Sequence, residues 1–203
     1  MEASRSSVVV TTNKPRGRPR RFDPDAAVAI AQQLFHARGY DRVSVADLTE
    51  ALGINPPSFY AAFGSKAGLY QRSLERWADT GAIPIADILR PDRPVAEALA
   101  ALLDEAARRY AADPEAPGCL VLEGTRCNEE SAREAALGFN RAAETLIHDY
   151  VAARHPEAAA RVTDFVSTTM SGLSAKARHG QSLERLRATA EIAGLALRQA
   201  LAD

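Results

Sequence analysis

The sequence has few cysteines, few aromatic residues and no long apolar run. If its two cysteines, Cys119 and Cys127, lie on one helix, they are about 12 Å apart along its axis, which is too far for a disulfide between them. No stretch of about 18 apolar residues could span a bilayer, and the N-terminus lacks the apolar core of a signal peptide. We therefore expect a cytoplasmic protein without a membrane partner.

The residue patterns of enzymes and metal proteins are also missing. The histidines have no ligand spacing with acids or cysteines, so we predict no metal site; they are His36, His148, His155 and His179. No nucleophile with a base, paired carboxylates or glycine-rich phosphate loop can be recognised. The sequence therefore predicts a protein that is not an enzyme and needs no cofactor.

The composition favours helices, and the charge is distributed unevenly. Hydrophobic residues make up 46% of the chain but aromatic residues only 6%, which is typical of an all-α fold rich in alanine and leucine. The net charge is −1, yet residues 1–21 carry six basic residues and one acid, whereas residues 81–203 carry 14 basic and 18 acidic residues. A basic end on an acidic body predicts binding to an anionic polymer at that end.

Local signals divide the chain into three parts. Residues 1–21 are rich in Ser, Thr, Pro, Gly and Arg, and they predict a disordered basic arm. Residues 22–80 predict short helices that start at Asp23, Ser44, Asn55 and Ser65, with Asp47 completing a capping box. In residues 81–203, prolines separate helices predicted at about 85–89, 95–112, 118–128, 132–154, 157–179 and 183–201.

Two short helices joined by the Gly53 turn predict a helix-turn-helix, whose second helix would enter the major groove. That helix starts at Pro56. Pro57, Ser58 and Ala61 could contact thymine methyl groups and supply one hydroxyl. Phosphates would be held by Tyr60 and Lys66, and by the hydroxyl and free N–H groups at Ser44.

The run SVADLTEALGINPPSFYAAFGSKAGLY resembles the DNA-binding head of the TetR/AcrR family of bacterial repressors. The resemblance covers about residues 18–77, and the family motif is matched at Leu52, Gly53, Ser58, Phe59, Tyr60, Phe63, Ser65 and Lys66. It implies a three-helix helix-turn-helix head joined to a larger helical ligand-binding and dimerisation body. It also implies that Pro56, Pro57 and Ala61 approach bases and that Tyr60 and Lys66 hold phosphates. The alternatives are that Tyr60 packs on the first helix and that Lys66 is solvated.

The chain departs from the family pattern at two places. Ala67 and Gly68 stand where the family usually has an acid after the serine-lysine pair, and a glycine there should cost about 1 kcal/mol relative to alanine. Ala61 and Ala62 replace residues that are often bulky in relatives, so the base preference is left open.

The arm contains Pro15–Arg20, which resembles the Arg-Gly-Arg-Pro core that fits a narrow minor groove. Arg16, Arg18 and Arg20 would then add affinity beside the recognition helix, and the alternative is a solubilising tail. Deleting residues 1–15 together with Arg16→Ala and Arg18→Ala should weaken operator binding and flatten its salt dependence, whereas an unchanged salt slope would refute the hypothesis.

The last two predicted helices carry apolar residues at helical spacing. The resemblance implies that these helices form a four-helix dimer interface with their copies; the alternative is an intramolecular core. The predicted interface residues are Val162, Phe165, Val166, Thr169, Leu173, Leu186, Ala190, Ala193 and Leu197. A symmetric dimer would present two recognition helices about one DNA turn apart and bind a palindromic operator.

The middle of the body should enclose a pocket for a small-molecule effector, as the resemblance implies. Candidate lining residues are Trp77, Leu103, Tyr110, Leu122 and Phe139, which could equally be ordinary core. Cys119 follows Pro117 and Gly118, and a position in the first turn of a helix would lower its pKa and favour reaction with electrophiles. The alternative is that Cys119 is a buried small hydrophobe. If quinones or aldehydes still released the Cys119→Ser variant from DNA, a sensing role of Cys119 would be excluded.

Together these patterns predict a sequence-specific DNA-binding transcriptional regulator, released from a palindromic operator by a ligand. The rival is a nonspecific nucleoid-type DNA-binding protein, which the basic arm alone would support. Competition with unrelated DNA distinguishes them, because a repressor should prefer its own site by about a thousandfold or more.

Overall fold

The computed structural model describes residues 23–202, so the predicted arm with Arg16, Arg18 and Arg20 lies outside the described residues. The described chain is helical and contains no strand, which confirms the all-α prediction. Its α-helices are α1 Pro24–Arg38, α2 Val45–Leu52, α3 Pro56–Phe63, α4 Lys66–Thr80, α5 Ile85–Ile88, α6 Val95–Tyr110, α7 Leu120–Gly124, α8 Glu130–Ala152, α9 Ala159–Arg178 and α10 Leu183–Ala200. Single 3-10 turns at Tyr40–Arg42 and Pro156–Ala158 precede α2 and α9.

Side chains cap the first four helices at the predicted positions. The Asp23 carboxylate accepts hydrogen bonds from the first turn of α1, and Asn55 accepts one from the Ser58 N–H at 2.9 Å. The Ser65 hydroxyl accepts one from the Gly68 N–H at 2.9 Å. Because each cap satisfies amides that have no partner inside the helix, the short helices α2 and α3 have well-defined starts.

The head, α1 to α4, shares its core with the body. Phe35, Phe59 and Tyr70 are among its fully buried side chains, and they belong to one apolar cluster with Leu120 of α7 and Ala132 of α8. The remaining body core is built mainly from α6, α8, α9 and α10. The head therefore packs directly on α7 and α8 of the body.

The structure corrects the predicted dimer residues. Seven of the nine side chains are buried in the core of their own chain, where α6 packs against α9 and α10: Val162, Val166, Leu173, Leu186, Ala190, Ala193 and Leu197. Phe165, at 40% exposure, and the half-buried Thr169 remain accessible. The apolar periodicity identified the inner faces of α9 and α10, because helical spacing marks a buried face and not the partner that buries it.

The predicted helix at 118–128 is also corrected. Only Leu120–Gly124 is helical, because Gly118 has φ +83° and Cys119 is extended at the helix start. The other body helices begin and end within about two residues of the prediction. The predicted helix at 157–179 begins two residues later, at Ala159, because a 3-10 turn precedes it. No helix of residues 23–202 has the length and apolar character needed to cross a membrane.

Candidate DNA-binding surface and effector cavity

Helix α3 presents one face to solvent and anchors the other. Phe59 and Phe63 are buried, and their rings lie 5.5 Å apart between centroids. The predicted base-reading residues all lie on the exposed face: Pro56, Pro57, Ser58 and Ala61. The buried phenylalanines and the exposed residues lie on opposite sides of α3 because of their helical spacing. The exposed side is a short, rigid surface that is available to a DNA groove.

Tyr60 lies on the same exposed surface. Its side chain is 51% exposed, and its ring packs edge-on against Phe59 with 5.4 Å between centroids. Contact with a buried ring restricts the tyrosine rotamer while its hydroxyl remains in solvent. This geometry suits a phosphate ligand.

Lys66 is held inside the head. Its Nζ donates to the carbonyl oxygens of Tyr40 at 3.2 Å and Val43 at 3.1 Å, and it lies 3.9 Å from the centroid of the Tyr40 ring. The ammonium therefore satisfies carbonyls of the turn before α2 and fastens it to the start of α4. The predicted phosphate contact stays a prediction, and it would require Lys66 to share or exchange these partners.

Ser44 has its polar groups committed within the chain. Its N–H donates to the Asp47 carboxylate at 2.8 Å, its hydroxyl donates to the same carboxylate, and the Asp47 N–H donates back to Ser44 Oγ at 3.1 Å. These bonds lower the pKa of Asp47. A complete capping box thus uses the N–H and the hydroxyl of Ser44 itself, and the predicted phosphate contact at this helix start stays a prediction.

A cavity of about 590 Å³ lies between the head and the body. Five of the six predicted pocket residues line it: Trp77, Tyr110, Cys119, Leu122 and Phe139. Leu103 does not, because it is fully buried among the side chains that pack α6 against the rest of the body. The cavity walls are mainly apolar, and the volume of the cavity suits a small organic molecule.

The head contributes directly to the cavity wall through His36 of α1 and Trp77 of α4, whose rings meet edge to face at 4.6 Å. His36 Nε2 lies 3.1 Å from the carbonyl oxygen of Gly118, and burial lowers the pKa of His36. A neutral imidazole therefore donates its Nε2–H across the head-body boundary. From the sequence, His36 was a candidate only for a metal site, and no local pattern indicates this contact with Gly118.

A second group of contacts fastens the Gly118 loop to α9. The Cys119 N–H donates to Ser174 Oγ at 2.9 Å, and a Cβ on Gly118 would lie 2.9 Å from the same oxygen. Arg178 of α9 donates to the carbonyl oxygen of His36 at 2.8 Å. The loop that borders the cavity is thus joined both to the head and to α9.

Cys119 lies on the cavity wall, but its chemistry differs from the expectation. It is the residue before the first turn of α7. Burial raises its pKa and outweighs the lowering effect of the Leu122 and Val121 amides. The predicted low pKa is therefore wrong, because desolvation of the thiolate exceeds the benefit of the helix start.

A polar cluster in the wall joins α8 to α9 and was also missed. Glu144 Oε1 accepts from Asn140 Nδ2 at 2.9 Å and from Ser167 Oγ at 2.5 Å, and all three residues line the cavity. Asn140 and Glu144 have helical i,i+4 spacing, but Ser167 is distant in sequence. Within residues 23–202, no group of three or more His, Cys, Asp or Glu side chains could hold a metal ion.

Comparison with known proteins agrees with this architecture. Residues 28–72 match the family described as bacterial regulatory proteins, tetR family. The chain is 56% identical over 197 residues to the HTH-type transcriptional repressor BdcR of Escherichia coli strain K12, covering 96% of this chain and 100% of the relative. It is 32% identical to the HTH-type transcriptional repressor ComR of the same organism, covering 91% of this chain and 92% of ComR.

Solved structures show the same fold over most of the chain. A cysteine mutant of the TetR family regulator CifR, complexed with 26-base-pair double-strand operator DNA, superposes with a TM-score of 0.80. It is 33% identical, and the match covers 88% of this chain and 99% of CifR. The reduced form of NemR from E. coli, at 17% identity and a TM-score of 0.67, supports the fold alone.

Proposed function

The chain belongs to the TetR family of bacterial regulatory proteins, and from this membership we propose that it represses transcription as an operator-bound homodimer that a small molecule releases. It is a DNA-binding transcriptional regulator and not an enzyme. The observation that carries the proposal is the exposed face of α3, held on buried phenylalanines in a chain 56% identical to a named repressor. Acting on DNA, it would work in the cytoplasm.

Base recognition would rely on shape and methyl contacts. Pro56, Pro57 and Ala61 offer no side-chain hydrogen bond to a base edge, and Ser58 offers one hydroxyl. Tyr60 would bind a backbone phosphate and fix the position of α3 in the groove. Arg16, Arg18 and Arg20 would then add contacts in the neighbouring minor groove.

The dimer would form through the outer faces of α9 and α10. Three large apolar side chains are exposed there: Phe165 at 40%, Ile192 at 69% and Leu195 at 60%. Such exposure on two long neighbouring helices is typical of a surface covered by a partner. A second copy is the occupant consistent with a two-fold symmetric operator.

Release would begin at the cavity wall. His36 and Trp77 belong to the head, and His36 is tied to the Gly118 loop, so an occupant that moves this wall also moves α1 and α4. A shift of these helices changes the separation of the two recognition helices in a dimer. An effector with higher affinity for the shifted state therefore lowers operator affinity.

Covalent sensing at Cys119 is a second candidate mechanism of release, favoured by the position of the thiol on the cavity wall. Its raised pKa makes thiolate scarce at neutral pH, so reaction would need an electrophile that reaches the cavity and remains there. Reversible binding is accordingly the mechanism that the geometry supports better.

A reporter fused to the DNA beside the coding gene tests the repressor proposal. Removing the regulator should raise reporter expression, and restoring it should lower expression again. A Phe59→Ala variant, which loses the α3 anchor, should fail to restore repression. Lower expression on removal would indicate an activator, and no change would show that this DNA is not the target.

A further inference from the structure

The polar cluster of Asn140, Glu144 and Ser167 lies in an otherwise apolar wall. Both internal hydrogen bonds reach Glu144 Oε1, whereas Oε2 has no hydrogen-bond or ion-pair partner within residues 23–202. Glu144 is half-buried and lines the cavity. One carboxylate oxygen is therefore fixed in orientation while the other remains available to a bound molecule.

Glu144 also has no compensating positive charge among residues 23–202. The cavity wall includes one arginine, Arg109, and it is already paired with Glu105 at 2.6 Å and bonded to the carbonyl oxygen of Ala82 at 3.0 Å. The lowered pKa of His36 keeps that ring neutral at neutral pH. Among residues 23–202, no side chain on the wall thus supplies a free cation to the carboxylate.

We infer that the effector cavity selects an apolar organic amine, whose protonated nitrogen binds Glu144 while its hydrocarbon body fills the space beside Trp77 and Phe139. An ammonium group offers several donors to Glu144 Oε2 and compensates the charge, which strengthens the hydrogen bond relative to a neutral donor. The aromatic walls also favour a cation over an anion. This inference rests on the proposed effector site and adds the chemical class of its ligand.

Three probes with one hydrocarbon body and different head groups test the inference: phenylbutylamine, phenylbutanol and phenylbutanoate. Trp77 is the only tryptophan of the chain and lies on the cavity wall, so its fluorescence reports binding directly. With the full-length protein we expect the amine to bind at least about tenfold more tightly than the alcohol, and the carboxylate to bind more weakly than both.

Glu144→Gln retains the size of the side chain and removes its charge. In this variant the ratio of amine to alcohol affinity should fall close to one. Glu130→Gln, an exposed residue in the first turn of α8, should keep the wild-type ratio. The inference would be overturned if the wild type bound amine and alcohol equally, if no probe quenched Trp77, or if the amine preference survived Glu144→Gln. If a variant fails to fold, the order of the three affinities in the wild type decides whether the cavity selects an amine.

Operator release is measured separately, by fluorescence anisotropy of labelled DNA. An amine preference without operator release would contradict the proposed release mechanism and leave the ligand class standing. Release by the alcohol and the amine at equal concentrations would support the release mechanism and refute the ligand class. The two failures are therefore distinguishable.

Discussion

At the residue scale, the His36–Gly118 hydrogen bond joins the DNA-binding head to the cavity loop. His36 is 8% exposed, and its neutral form is favoured because burial penalises the imidazolium. The protonated ring could still donate to Gly118, but it would carry a charge into a largely apolar site beside Arg178. The charge state of this single ring is therefore linked to the stability of the head-body contact.

This linkage predicts a pH dependence with a definite sign. The His36 pKa is lower in the folded state than the value of 6.5 in the unfolded chain. The contribution of neutral His36 to the free energy of unfolding is therefore complete above pH 6.5 and declines as the pH falls below it. We expect the free energy of unfolding to fall more steeply for wild type than for His36→Gln between about pH 7.5 and 5.5. Urea unfolding measures both profiles, and parallel curves would contradict the assignment.

Tyr60 carries a second prediction at this scale. Tyr60→Phe keeps the ring against Phe59 and removes the hydroxyl that we propose binds phosphate, so operator affinity should fall about five- to tenfold. The salt dependence should stay the same, because the hydroxyl carries no charge and releases no counterion. Anisotropy titrations at several salt concentrations measure both quantities. Unchanged affinity would exclude the phosphate role.

Gly68 shows how packing alters an interpretation drawn from sequence. Helix propensity predicts that glycine is unfavourable there, yet a Cβ would lie 2.4 Å from the carbonyl oxygen of Phe63. The close approach of α4 to the end of α3 thus requires glycine. A propensity value describes an isolated helix and does not include the backbone of its neighbour.

At the scale of elements, helix starts are predictable because their chemistry is local. Asp23, Ser44, Asn55 and Ser65 each bond an amide two or three residues away, so the motif is visible in the sequence. The contacts of His36 with Gly118 and of Glu144 with Ser167 join segments 82 and 23 positions apart. These contacts depend on how the helices pack, and no local sequence pattern predicts them.

Two glycines provide a matched test of the elements around the cavity. Gly118 has φ +83°, and a Cβ there would lie 2.9 Å from Ser174 Oγ, so Gly118→Ala should destabilise the fold by about 1–3 kcal/mol. Gly138 lies inside α8 with open space around its Cβ position, so Gly138→Ala should stabilise by about 0.5–1 kcal/mol. Denaturant unfolding measures both, and equal effects would contradict the described loop geometry.

At the scale of the whole molecule, the head and the cavity are more predictable from the sequence than the dimer surface. The head follows from a continuous motif, and five of six predicted cavity residues line the cavity. Seven of the nine predicted interface residues, Val166 and Leu197 among them, face their own core, whereas Ile192 and Leu195 are exposed. An amphipathic helix reports that one face is buried, but its sequence alone does not say which face meets a second copy.

The proposed dimer predicts the effect of a charge on that outer surface. Ile192→Glu should weaken dimerisation by at least about tenfold, because a carboxylate would be buried without a partner. Far-UV circular dichroism should remain unchanged, since Ile192 is 69% exposed within its own chain. Sedimentation equilibrium measures the oligomeric state. The control variant Ile30→Glu places a charge at an apolar residue of α1 that is 38% exposed, and it should leave the dimer intact. If both variants were monomeric, or if both were dimeric, the assigned surface would be contradicted.

Sequence-specific operator binding is the central claim, and a competition titration tests it most directly. Labelled DNA from beside the coding gene is bound by the full-length protein at physiological salt and then displaced by unlabelled copies or by shuffled DNA of the same composition. The account predicts that the native sequence competes at least about a thousandfold better. Equal competition by both DNAs would show nonspecific binding and contradict the claim.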